Sequence, residues 1–456
     1  MGVPRAWRGR IILSPGSVFV QPRRDAALHA RRLQPLATAT ALVVVTCLFA
    51  GGPTDGVAAT TTWAHQFGGP KIDRAYGVTS TAHAVYVGGL QDAGKSGTVG
   101  DATGFVRRYS LGGDLVWNRT ISASRDDSVS AIASNVSTIY AAGFVDGKVV
   151  GGLSVGGRDA FVRAYAPDGT KRWTTQFGTK QADWVGGLTV TKHAIYVAGS
   201  TFGVFPGQIN RGNDDAFIAR LGLHGRVIWV RQFGSKGFDV AYAAARSGAD
   251  VLVGGSVGGV YGGALPGQAS AGGQDAFVQR YEATGTLDWT HQFGTKKDDS
   301  LLGLTHAGIG TCGVGTTLGV FAGRKHRGSA DGFATCMTGS GEAMWLRQFG
   351  TPARDFANAV VATKSELLVA GSTYGNFSGS SSSGTGDGFV REFDPSGSTL
   401  STDQFGTLTD DPTKQDGVLA ISAGRSGRFF GGAFWGSLPG ETSAGAEDAF
   451  LALLSE

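Results

Sequence analysis

Histidine is never paired in this chain. Its eight copies include no His-x-x-x-His and no His-Glu-x-x-His spacing, so the zinc-hydrolase signature is missing. There is no Asp-x-Asp-x-Asp-Gly loop of the EF-hand kind either. Charge is thin, with Asp, Glu, Lys and Arg making up 17% of the 456 residues. The apparent basicity is local. The first 59 residues hold seven of the 40 basic side chains and two of the 36 acids, which leaves 33 against 34 and a net charge of −1 for the remainder. A near-neutral body gives no electrostatic case for nucleic acid or for an anionic membrane. Helical periodicity is missing after residue 60. Methionine and cysteine are scarce, at three of each.

Glycine is abundant instead, with 75 copies among many Thr, Ser and Val. That composition belongs to short strands and tight turns. The N-terminus has its own character. Arg31-Arg32 precede an apolar run from about Leu36 to Ala50, and small residues follow to Val57-Ala58-Ala59. The order reads as a secretory signal peptide with a long basic leader over residues 1–59. The run is shorter than the roughly 20 apolar residues of a bilayer span, so no stable membrane span is expected once the leader is removed.

The remainder, 60–456, is one repeated unit. The Phe of an Asp-Ala-Phe element stands at Phe105, Phe161, Phe217, Phe277, Phe333, Phe389 and Phe450, with spacings of 56, 56, 60, 56, 56 and 61. Trp follows twelve residues later at Trp117, Trp173, Trp229, Trp289 and Trp345, and Ser401 takes the sixth slot. A Gly precedes each slot by four. An extra copy, Trp63-Ala-His-Gln-Phe-Gly68, opens the repeats. Asp lies six residues past the Phe of Gln-Phe-Gly at Asp73, Asp183, Asp239, Asp299, Asp355 and Asp411. Asp127 fills the slot where the motif is reduced to Thr120-Ile-Ser122. Short β-branched and aromatic runs ending in Gly, such as Ile195-Tyr-Val-Ala-Gly199, alternate with turns such as Pro167-Asp-Gly169. Each unit holds four strands.

Seven copies of four antiparallel strands predict an all-β, seven-bladed β-propeller. The chain starts with an outermost strand and ends with a third strand, so the N-terminal strand is expected to complete the last blade. Taken together, Trp-x-x-Gln-Phe-Gly, the following Asp, the Tyr-Val-x-Gly strand, Asp-Ala-Phe-Val-x-Arg-Tyr and Gly-x-x-x-Trp resemble the bacterial β-propeller repeat known as SBBP. The likeness covers about residues 63 to 454, with Thr103 for Asp, Thr120-Ile-Ser122 for Gln-Phe-Gly and Ser401 for Trp as departures. The resemblance implies a secreted or cell-surface bacterial propeller, in a family where most members have no assigned activity.

The recurring side chains read first as structure. Trp63, Trp117, Trp173, Trp229, Trp289 and Trp345 are expected between neighbouring blades, where burying one large aromatic is worth roughly 2 to 3 kcal/mol. Trp184 and Trp435 fall outside the pattern and are candidates for exposed function. The acids Asp73, Asp127, Asp183, Asp239, Asp299, Asp355 and Asp411 could ring a channel and hold Ca²⁺. The favoured reading is that each carboxylate fixes its own turn, because equal spacing around the ring separates the acids. Cys312 and Cys336 replace a Tyr and an Arg on adjacent strands of one blade, and in an exported protein they predict a cross-strand disulfide. Long, variable, Gly-rich loops precede each third strand, with a shared apolar residue at Phe205, Leu265, Phe321, Phe377 and Leu438. Binding usually lives on such loops. The function expected is therefore a non-catalytic extracellular or cell-surface scaffold, needing no cofactor, with an unknown protein or glycan ligand on the loop face. The alternative is a propeller enzyme, either a quinone-dependent dehydrogenase or a polysaccharide lyase or hydrolase.

Overall fold

The computed structural model describes residues 61–93, 102–123, 126–149, 151–152, 154–363, 365–380, 386–407, 416–424, 427–438 and 440–454. The leader over 1–59 and Asp411 lie outside them. Twenty-eight strands form seven four-stranded sheets, and neighbouring strands pair antiparallel. The molecule is a seven-bladed β-propeller. Six blades run in sequence order, from the strand at the channel to the strand at the rim. The seventh takes its outer strand from Thr61–Phe67, paired against Asp448–Leu454. Among the described residues the only helix is a three-residue 3-10 turn, Gly259–Tyr261.

Blade four shows how one unit is built. Its strands are Val240–Ser247, Asp250–Val257, Asp275–Tyr281 and Leu287–Phe293. The inner strand carries a β-bulge between Ala241 and Ala243. All seven inner strands carry a bulge in this place. Opposite each bulge stands a glycine: Gly89, Gly143, Gly199, Gly255, Gly315, Gly371 or Gly432. A Cβ on any of them would lie 1.9 Å from an inner-strand carbonyl oxygen. The glycine that ends each Tyr-Val-x-Gly strand is therefore needed for close backbone approach.

The core lies between blades. Phe161, Phe217, Phe277, Phe333 and Phe389 are fully buried, and one hydrophobic cluster spans Tyr140 in blade two and Leu221 in blade three. At the rim, each Trp reaches the next blade. Trp229 donates its indole N–H to the carbonyl of Ala283 at 3.2 Å, in the hairpin between the third and outer strands of blade four. Gly285 turns that hairpin with φ of 88°, and a Cβ there would meet the Trp229 ring at 2.9 Å. Trp63, Trp117, Trp289 and Trp345 donate in the same way to Leu111, Pro167, Gly339 and Pro395. Trp173 packs against Gly225. The Trp and the Gly four residues before the next Trp are two halves of one joint.

Ser401 now has a physical reason. It sits on the outer strand of blade six, and its landing place would be the third-to-outer hairpin of blade seven. That blade has no such hairpin, because its third and outer strands come from opposite ends of the chain. With no turn to receive an indole, the slot holds serine.

Cys312 and Cys336 face each other in register on the second and third strands of blade five. Their Cα atoms are 4.0 Å apart and their sulfurs are bonded. Intact mass with and without reductant is expected to differ by two protons. Replacing both residues by serine should cost about 3 kcal/mol of stability, because 24 residues separate them and the loop they close is lost from the unfolded chain.

Candidate functional site

Each blade presents one end where the inner strand begins and the loop between second and third strands lies. This loop face is built on the most regular network in the molecule. In blade four, Gln292 donates through Nε2 to Asp275 Oδ2 at 2.8 Å and to the carbonyl of Gly263 at 3.1 Å. Its Oε1 accepts the backbone N–H of Leu265 at 2.8 Å. Gln66, Gln176, Gln232, Gln348 and Gln404 repeat the contact with Asp448, Asp159, Asp215, Asp331 and Asp387. The same Oε1 fixes the loop N–H of Leu438, Val149, Phe205, Phe321 and Phe377. Five of those six loop residues are buried beneath their loops, among them Phe205 at 3% exposure, Leu265 at 1% and Phe377 at 4%; Leu438 is half-buried. Blade one has Thr103 for the Asp and Thr120 for the Gln. The pair is lost together, as a donor and its acceptor should be. Sequence reasoning gave the glutamine no role; this joint loss was the signal available.

The acids that follow Gln-Phe-Gly close the turn into the next blade. Asp299 Oδ2 accepts the Thr295 backbone N–H at 2.6 Å and its hydroxyl at 2.9 Å. Asp73, Asp127, Asp183, Asp239 and Asp355 accept from Gly69, Ala123, Thr179, Ser235 and Thr351. In the last junction Asp416 makes this contact, and Asp411, which the spacing suggests, lies outside the described residues. Asp416 accepts from Thr407, nine residues earlier, where the other six span four. The extra residues are those that lengthen the final repeat to 61.

Equal spacing keeps these seven acids on separate junctions, but all except Asp127, whose preceding blade holds Thr103, are brought against the third-strand Asp of the preceding blade, on either side of the Gln-Phe-Gly glycine. A Cβ on Gly294 would lie 2.5 Å from Asp275 Oδ1 and 2.9 Å from Asp299 Oδ2. Gly68, Gly178, Gly234, Gly350 and Gly406 separate five further pairs in the same way. Burial is the largest influence on the inner acids and disfavours their charge. It pushes Asp73, Asp127, Asp183, Asp239, Asp299 and Asp416 up to about 6. Backbone donors and, at several sites, hydroxyls pull the other way and are outweighed. Two carboxylates across a glycine carry four oxygens between them, of the six to eight that Ca²⁺ takes. Among the described residues no group of three or more His, Cys, Asp or Glu is placed to hold a metal.

Several aromatic side chains outside the shared motif lie on the loop face. Trp184 follows the junction Asp183, half-buried, with Phe202 at 5.2 Å and the Arg158 guanidinium 5.5 Å over its ring. Trp435 follows the second strand of blade seven, and its backbone N–H donates to Asp416. Phe356 meets Tyr374 at 6.5 Å, and Phe238 stacks on Tyr261 at 5.9 Å.

Sequence reading passed over three pattern matches that the fold explains. Gly152–Gly156 and Gly254–Gly258 both fit Gly-x-Ser-x-Gly. Ser256 is buried in a strand opposite Ala276, and Ser154 lies in a loop that leads into another strand, so neither makes a strand-to-helix elbow. Gly89–Ser96 fits the phosphate-loop pattern, but its first residues continue a strand, with Leu90 paired to Gly104.

No family model matches the chain, and no curated protein is similar to it in sequence. Solved structures share its general form. The β-propeller domain of the trilobed protease from Pyrococcus furiosus, described as an open velcro topology, is 7% identical with a TM-score of 0.45, over 84% of this chain and 94% of that one. The phage phi92 endosialidase is 7% identical with a TM-score of 0.44, over 86% of this chain and 68% of that one. PorZ, a surface component of the type-IX secretion system of Porphyromonas gingivalis, is 12% identical with a TM-score of 0.39, over 80% of this chain and 36% of that one. Likeness at this level carries no argument about activity, and the propeller rests on its own strands.

Proposed function

We propose that this chain is a non-catalytic, exported binding scaffold whose ligand docks on the loop face of the propeller. The observation that carries the reading is the division of labour among side chains. The repeated Trp, Phe, Gln, Asp and Gly are consumed by joints between and within blades. The aromatics that only some blades carry, Trp184, Phe202, Tyr261, Tyr374 and Trp435, all gather on one face. Rigid strands holding variable loops at one end are the usual arrangement of a recognition surface. The secretory leader and the SBBP-like repeat support placement outside the cell.

Loss of Trp184, Phe202 and Trp435 together (each to Ala) should abolish binding of the mature chain to its target on an array of glycans and cell-surface proteins. Val136→Ser, in an exposed turn at the opposite end of blade two, should leave binding unchanged. Equal loss from both variants, or turnover of the bound target, would refute the reading.

A further inference from the structure

Blade four departs from the 56-residue period by four residues, and the structure shows where they go. From Thr201 to Phe205 the loop of blade three spans four steps, while from Val257 to Leu265 its counterpart spans eight. The added residues form the 3-10 turn Gly259–Tyr261. Gly258, Gly259, Gly262 and Gly263 around it all have positive φ, at 100°, 50°, 62° and 150°. Such a turn is open to glycine and strained for other residues. Its product is the placement of one side chain. Tyr261 is lifted clear of the loop, 67% exposed, with its ring stacked on Phe238 at an interplanar angle of 23°.

Tyr261 stands at the edge of a groove of about 650 Å³ between blades three and four. The opposite wall is the blade-three loop Ile209-Asn210-Arg211, and the floor is the turn Gly234-Ser235-Lys236. Arg211 and Lys236 are both exposed, and neither has an ion-pair partner among the described residues. No acid lines the groove. The nearest carboxylates, Asp214, Asp215 and Asp239, are buried beneath it and occupied with backbone donors. The cleft thus presents an aromatic platform held at a fixed angle, two exposed cations without a direct ion pair, and the Asn210 side chain. In a chain whose net charge is near neutral, this charge is local.

We propose that this groove binds acidic carbohydrate: a uronate-containing polysaccharide whose sugar ring stacks on Tyr261 while its carboxylate is met by Arg211 and Lys236. An aromatic face takes the apolar C–H face of a pyranose, and guanidinium and ammonium groups take carboxylate through charge-assisted hydrogen bonds. The cleft is shaped for a sugar unit, with one platform and hydrogen-bonding groups around it. An acidic peptide would use the two cations and leave Tyr261 idle. The site rests on the loop-face reading above and names a ligand class for it.

The probes are tetragalacturonate, cellotetraose as the neutral counterpart, and a poly-glutamate peptide, titrated into the full mature chain by calorimetry. Tetragalacturonate is expected to bind, cellotetraose to bind far more weakly, and affinity to fall with added salt. Tyr261→Ala, and separately Arg211→Gln with Lys236→Gln, should each weaken binding by at least about tenfold without lowering Tm, as for central contacts of a binding site. No binding of tetragalacturonate overturns the proposal. So does binding that survives Tyr261→Ala, or poly-glutamate binding as tight as the sugar acid. If the array target is lost on changing Trp184 and Trp435 yet unaffected by Tyr261→Ala, the groove falls and the loop-face scaffold stands. If none of these variants changes any binding, both fall.

Discussion

Gly255→Ala is expected to cost the propeller about 3 kcal/mol, the upper part of the range for forcing an extra carbon into a packed interior. The added Cβ would start 1.9 Å from the carbonyl oxygen of Val240 and 2.9 Å from the Cα of Ala241. Both obstacles are backbone, so no rotamer change relieves them. The strand would have to leave the bulge, and the bulge sets the path of the inner strand beside the channel. Gly207→Ala is the control. Gly207 also has positive φ, at 72°, but nothing lies within 4 Å of its Cβ position. It should cost about 1 kcal/mol, the strain of a left-handed alanine alone. Denaturant midpoints of the two variants settle the matter: equal losses would show that the carbonyl contact is not the cause. Any of the seven equivalent glycines should respond alike.

A propeller that is more stable at pH 5 than at pH 8 is the second large effect. Six junction acids have a folded pKa of about 6 against an ordinary 3.8. Asp214 is pushed further, to about 7, by burial first and then by the neighbouring charges of Asp239 and Asp215. Between pH 4 and 6 the folded chain therefore holds more protons than the unfolded one. Stability falls with rising pH wherever the folded state binds more protons. The contribution is fully present below the unfolded value and is lost as pH climbs through 6 to 7. Asp168 and Asp394 oppose this at lower pH, since hydrogen bonds within their exposed turns hold them below the usual carboxylate range. His291 and His306, whose charge burial disfavours, oppose it near the ordinary histidine range but are two groups against seven. A Tm roughly 5 °C higher at pH 5 than at pH 8 is the expected size, given that 1 kcal/mol moves Tm by about 2–4 °C in proteins of a few hundred residues. A flat profile, or a rise in Tm between pH 5 and pH 8, would mean that the junction acids stay charged in the folded protein.

Much of this architecture is legible in the residues because repetition multiplies a weak local signal. One Asp-Ala-Phe says little. Seven, phased with Trp and Gly, place four strands per blade and reveal that Trp63 belongs with the last blade. Legibility ends where partners are chosen across blades. Nothing local says that Trp229 meets the turn of the next blade, or that Asp275 and Asp299 converge on Gly294. Those contacts depend on how two sheets sit against each other, and a period counts residues along one chain. The arrival of Asp416 at the last junction has the same origin. Counting six from Phe405 lands inside an insertion, while the backbone of Thr407 waits for whichever carboxylate reaches it. The groove at Tyr261 was hidden in a number, the single internal spacing of 60, whose meaning appears only when the extra residues are seen to raise a ring.

The serine at position 401 bears on how such a chain could be cut and rejoined. Six joints lean on covalent hairpins, whereas the seventh is a seam held by strand pairing alone. Moving the seam should move the serine with it. A circular permutant that links Leu454 to Thr61 through a short glycine turn, and opens the ring at another third-to-outer hairpin, would give Ser401→Trp a surface to land on. It would also strand the indole of the blade that precedes the new opening. Tryptophan at 401 without the new turn should add little, since its receiver would still be missing.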